Sequence, residues 1–155
     1  MGVFRTSKGR VVRHCHITNP PPCPGHAVTQ DEIDGSRDWM HRNFPHAIEV
    51  RPPTWDYSCI GFALARSHGW FEATNVLLTD DFFQVDMDQP QVGDVVIYFN
   101  FDIWKVAHAA VITQVEDGEI VEVQSKWGAN AECRHRLTEC PEVYGTPIKV
   151  VRRNP

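Results

Sequence analysis

Apolar and polar positions change their rhythm near residue 91. Before it, the signals are helical or irregular. Val11 to Ile17 reads as a short strand. Asn19 to Gly25 (NPPPCPG) must be irregular, because proline can continue neither a helix nor an inner strand. Thr29 to Phe44 reads as a helix. Thr29 and Glu32 have the spacing of a capping box, Pro45 follows the end, and Gly35 weakens the middle. Arg51 to Tyr57 (RPPTWDY) is a loop. Ser58 to Ser67 (SCIGFALARS) is a second helix, with Ser58 as N-cap, an apolar stripe at Ile60, Ala63 and Leu64, and Gly69 as terminator. Val76 to Gln89 fits neither period.

From Gln91 the pattern is that of strands. Gln91 to Asp94 (QVGD) is a turn, and Val95 to Phe99 and Val106 to Val115 are β-rich runs. Asp117-Gly118 is a hairpin signal, and Glu119 to Gln124 alternates polar and apolar. Pro147 to Arg152 closes the series as a strand. A helical first half followed by an antiparallel sheet predicts the α+β class.

A length of 155 residues suits one domain, with residues 1–50 as an extension plus helix and residues 51–155 as the core. Hydrophobic residues at 42% and charged residues at 23% are the balance of a globular chain. No run of about 18 apolar residues predicts a membrane span. The first ten residues lack an apolar signal core, which fits a cytoplasmic protein or one delivered by a secretion system. The formal charge is −5 and the basic residues are scattered, so no nucleic-acid-binding face is expected. Five cysteines are an odd number, and a full disulfide framework is not expected.

The question becomes which thiol carries chemistry. Cys59 falls in the predicted first turn of the second helix, where free N–H groups and the helix dipole favour a thiolate. His108 lies in a strand between Ala107 and Ala109, small neighbours that let a helix end approach. A polar imidazole in an apolar strand needs a partner. Taken singly, a helix cysteine is more often a small buried hydrophobe, and a strand histidine more often structural.

Their order tips the balance. The series WDYSCIGFALA, QVGDVVIYF, AHAAVI and VEVQSKW resembles the NlpC-type and CHAP peptidase families over roughly Thr54 to Trp127. The resemblance implies a papain-like fold, with N-terminal helices and the nucleophile helix packed on an antiparallel sheet. It implies Cys59 as nucleophile, His108 as base, and an orienting residue that is Gln124 or, as the alternative, Glu122. Tyr57 or Trp55 would add to the oxyanion hole or line the cleft. The chain departs from the NlpC pattern in lacking Asp-Cys-Ser at the nucleophile and a histidine at the third position. The tail SKWGANAECRHRLTECPEVYG also resembles an uncharacterised bacterial family with a Ser-Lys-Trp-Gly signature.

The implied activity is hydrolysis of an amide through a Cys59 thioester, with no cofactor. The substrate would be a peptide, a peptidoglycan fragment or a protein to be deamidated. A bacterial toxin or effector is one setting, and an immunity or inhibitor protein would then be a partner. Acyl transfer, including transglutamination, is open to the same pair. A different class comes from His14, Cys15, His16, Cys23 and His26, which are zinc-ligand types in irregular spacing. They would make a non-catalytic, zinc-stabilised interaction domain, although unliganded residues are the expectation. Cys133, His135 and Cys140 form a looser group of the same kind.

Overall fold

The computed structural model describes residues 4–12, 27–71 and 74–155. The N-terminal Cys/His cluster and most of the strand expected over 11–17 lie outside the described residues; the described part is β2 (Val11–Val12), which pairs antiparallel with β1 (Phe4–Arg5).

The first helix forms as its capping signal dictates. In α1 (Gln30–Asn43) the Thr29 side chain accepts from the Glu32 N–H, and the Glu32 carboxylate accepts from the Thr29 N–H at 2.7 Å. Asp31 and Glu32 sit in its first turn and His41 and Arg42 in its last, the arrangement that complements the helix dipole. Then follow β3 (Ile48–Arg51), α2 (Cys59–Leu64), α3 (Thr74–Asp81) and β4 (Phe82–Val85). After residue 91 come β5 (Val95–Asn100), β6 (Lys105–Glu116), β7 (Glu119–Lys126), β8 (Glu132–His135), a 3-10 turn (Glu142–Tyr144) and β9 (Thr146–Arg153). Asp117 at φ 49° and Gly118 at φ 81° make the β6–β7 turn, as the Asp-Gly signal predicts.

Seven strands form one antiparallel sheet in the order β3-β8-β7-β6-β5-β9-β4. Alternation along the central strands feeds two separate cores. Val95, Ile97, Ala109 and Val151 face the first, which also holds Cys59, Ile60, Leu64 and Leu77 of α2 and α3. Val96, Tyr98, Ala110, Ile112, Val123 and Val150 face the second, with Met40 of α1 and Trp127.

The papain-like α+β expectation is corrected here. The molecule is mostly antiparallel sheet with few, short helices, and no helical half stands against a β half. Two causes are visible. The second helix stops at Leu64, because Arg66 (φ 53°) and Ser67 (φ 62°) turn left-handed and Ser67 N–H returns to the Gly61 carbonyl. The first half also gives β3 and β4 to the sheet, each pairing with a strand from the second half. Among the described residues no helix is long and apolar enough to cross a membrane.

Candidate active site

Cys59 is the first residue of α2, and its surroundings follow from a fold-back. The Ser58 Oγ accepts from the Gly61 N–H at 3.2 Å, the cap that the sequence predicts. Beyond the helix, the chain re-crosses its first turn, and the Gly69 carbonyl accepts from Ser58 N–H. Only glycine fits at position 61, since a Cβ there would lie 2.1 Å from the Gly69 oxygen. This lock presses the start of α2 against β6, where the Cys59 Sγ lies 4.0 Å from the Ala107 carbonyl.

The backbone N–H groups of Ala109, Ile60 and Cys59 favour a thiolate, and so does the charge of Lys126. Burial outweighs them and pushes the thiol up to about 11. Burial thus offsets the thiolate preference expected of a helix start. A six-residue helix is also too short to supply much of a dipole. Cys59 opens to a cleft of about 530 Å³, walled by Ile60 and Phe71, by Ile103 and Val106 of the β5–β6 hairpin, and by Tyr144.

His108 is fully buried and opposite Tyr98 in the β5–β6 register. Its neighbour Ala109 faces the first core with Cys59, so the His108 ring projects toward the Tyr98 side. There it stacks on Tyr144 with ring centres 3.8 Å apart and planes 5° from parallel, and Tyr98 meets it edge-on at 5.2 Å. Among the described residues, neither ring nitrogen has a hydrogen-bond partner. Cys59 and His108 are therefore not joined by a hydrogen bond; the sulfur meets the strand backbone on either side of His108. Desolvation lowers the imidazole well below its ordinary value, so it is neutral.

The other expected residues make different contacts. Gln124 Nε2 donates to Glu132 Oε2 at 3.0 Å, and Glu122 accepts from the Thr113 hydroxyl at 2.8 Å. Neither orients His108. Tyr57 donates its hydroxyl to Glu132 and is pushed up to about 12, by burial first and this bond second. Trp55 stacks on Trp70, and its carbonyl accepts from the Trp70 indole at 2.6 Å; it supports the cleft wall from behind.

Sequence reasoning missed Tyr144, because it sits in a short turn without periodicity. The Ser-Lys-Trp-Gly run supplies the buried charge beside Cys59. Lys126 Nζ donates to the carbonyls of Thr54, Gly128 and Asn130 at 2.8, 2.5 and 2.6 Å, and burial pulls it down to about 8. Its neighbours in the Ser-Lys-Trp-Gly run complete a structural knot. The Trp127 indole donates to Ser125 Oγ at 2.9 Å, and Ser125 Oγ lies 2.7 Å from His135 Nε2. His135 Nδ1 faces the Arg136 carbonyl at 2.8 Å and must donate there, so Nε2 accepts from the serine. Ser125 and His135 thus form a satisfied pair sealed inside the second core.

Cys133 and Cys140 are free and buried, each pushed up to about 12 by burial. Among the described residues no group of three metal-ligating side chains converges.

Fold and site together define an antiparallel β protein with a cleft that the Cys59 thiol lines. Residues 49–152 match a family described as a domain of unknown function (DUF7689), and the chain belongs to it. No curated protein and no solved structure matches the chain.

Proposed function

We propose that the chain performs thiol-dependent acyl chemistry, with Cys59 as the nucleophile that forms a thioester from an ester or amide. The observation that carries this reading is the seat of the sulfur. It lies on a cleft of about 530 Å³, with three backbone N–H groups favouring its charged form, and it meets the β6 backbone at the Ala107 carbonyl.

Because the thiol is protonated at rest and the imidazole neutral, proton transfer accompanies attack. The thiol proton is lost as the sulfur attacks and is carried off by the departing group. The N–H of Cys59 is placed to meet the developing oxyanion. Water resolving the thioester gives hydrolysis, and a second nucleophile gives transfer.

The test is mass spectrometry of the intact protein after exposure to an activated ester. A single acyl adduct at Cys59, absent in Cys59→Ala, is the expected result. Acylation of Cys133 or Cys140 at the same rate as Cys59 would overturn it.

A further inference from the structure

Basic side chains that are scattered in the sequence meet where the chain turns back after α2. The helix ends at Leu64, and Arg66 (φ 53°) and Ser67 (φ 62°) follow in the left-handed region, which favours glycine. His68 Nδ1 donates to the Ala65 carbonyl at 2.7 Å and fixes this turn. The turn, the end of β9 and the β1–β2 hairpin together line a cavity of about 470 Å³. Its walls include Arg5, Arg66, His68 and Arg153, against one acidic side chain, Asp81.

The positive charge of this wall is uncompensated. Asp81 is buried, and its Oδ1 accepts from the Ser7 N–H at 2.7 Å. Arg5 donates to the Gly9 carbonyl at 2.9 Å. Arg153 donates to the Leu64 carbonyl at 2.8 Å, with its guanidinium 4.5 Å from the centre of the Phe82 ring. The chain carries 20 acidic residues to 15 basic ones, yet among the described residues no carboxylate lies within ion-pair distance of Arg5, Arg66 or Arg153. The Arg66 side chain has no hydrogen-bond partner among them either. Burial lowers Arg153 first and the like charge of Arg66 second, and Asp81 counters them less. An anion seated between the two guanidinium groups turns that repulsion into attraction.

We propose that this cavity binds a small soluble phosphomonoester, with its phosphate group held between Arg66 and Arg153. A guanidinium presents paired N–H donors that match the oxygens of a phosphate. Two such groups suit a dianion, which sets a phosphomonoester apart from a carboxylate. The volume falls within the usual range of small-molecule pockets, about 300–1,000 Å³, so the esterified part has room beside the phosphate. The cavity shares no lining residue with the Cys59 cleft, and the site stands independently of the thiol chemistry.

The experiment is calorimetric titration of the full chain at fixed ionic strength and about pH 8, where phosphate is a dianion. The probes are inorganic phosphate, glycerol 3-phosphate and acetate. Both phosphates are expected to bind one to one with Kd below about 1 mM, and acetate at least about tenfold more weakly. Arg66→Gly should weaken the phosphates at least about tenfold while the melting temperature is kept, because glycine suits the left-handed backbone. Arg66→Lys keeps the charge and loses the fork, and should fall between the two. Arg42→Gln, at an exposed position in the last turn of α1, should leave the affinity unaltered.

Failure of both phosphates to saturate by about 20 mM would overturn the site, and so would phosphate binding that survives Arg66→Gly unweakened. Acetate binding as tightly as phosphate would remove the preference for a dianion and overturn it too. Vesicles containing phosphatidic acid present the same group on a lipid. Protein that floats with those vesicles, yet does not bind glycerol 3-phosphate, would give the phosphate a membrane source and overturn the soluble ligand.

Discussion

At the scale of single residues, the chemistry is governed by what burial does to three groups. The Cys59 thiol sits at about 11 because desolvation exceeds the help of its N–H neighbours. The thiolate fraction then rises about tenfold per pH unit throughout the neutral range. Alkylation of native protein by iodoacetamide should therefore climb without a plateau up to about pH 10, with Cys59 ahead of Cys133 and Cys140, whose thiols burial raises further, to about 12. A plateau near pH 7, read by mass spectrometry at each pH, would mean that the resting thiol is already ionised. His108 shifts the other way. Its lowered value keeps it neutral in the folded protein, so the unfolded chain takes up this proton first as pH falls. Lys126 carries a structural burden instead. Its ammonium answers three backbone carbonyls, and Lys126→Met leaves all three without a donor. A loss of about 3 kcal/mol in denaturant unfolding is expected.

At the scale of elements, Gly145 shows how the turn bearing Tyr144 is fixed. Its φ of 82° with ψ of −147° belongs to glycine, and a Cβ would lie 2.2 Å from the Phe99 carbonyl. Gly145→Ala should cost at least about 2 kcal/mol and shift the Tyr144 stack off His108. Near-ultraviolet circular dichroism and thermal melts report both effects, and an unaltered aromatic spectrum would show that the turn absorbs the methyl. The elements legible in the sequence were those with a clear local cause. The Thr29 and Ser58 caps, the Asp117-Gly118 turn and strands β5, β6, β7 and β9 each carry their own signal. β3 was hidden because Ile48 and Val50 are exposed, which leaves no buried stripe. β8 was hidden for the reverse reason, since Glu132 and His135 are buried polar residues whose partners lie on other elements. The candidate site was half legible. Cys59 followed from its cap, whereas Tyr144 and Lys126 act through contacts no local pattern encodes, and the orienting roles assigned to Gln124 and Glu122 assumed a papain-like frame that the sheet does not have.

At the scale of the whole molecule, pH stability follows from how burial and pairing shift many groups together. Arg10 and Thr6 hold Asp80 down at about 2, and Arg37 lowers Glu49. A depressed carboxylate contributes stability above its unfolded value, and that stability is lost as pH falls through the folded one. Cys59, Cys133, Cys140 and Tyr57 are raised to about 11 or 12, so the unfolded chain sheds these protons first and stability declines as pH rises past about 9. Lys126, lowered to about 8, works against that decline between pH 8 and 10 but is one group against four. Melting temperature should be level from about pH 7 to 8 and fall on both sides, on the acid side from about pH 6.5 downward, where the unfolded chain protonates His108 and His135 before the folded one does. A continued rise above pH 9 would show that the thiols and Tyr57 are less enclosed than the structure has them.

The order of the large sheet bears on how the chain is made. β9 follows every other strand in the sequence, yet it lies inside the sheet, between β5 and β4. A ribosome releases β5 and β4 long before the strand that joins them. Until residues 146–153 emerge, both carry unpaired edges, and Val150 and Val151 are missing from the two cores. Closure of the sheet therefore waits until residues 146–153 have emerged, and a nascent chain stalled short of Thr146 is the form that chaperones must guard.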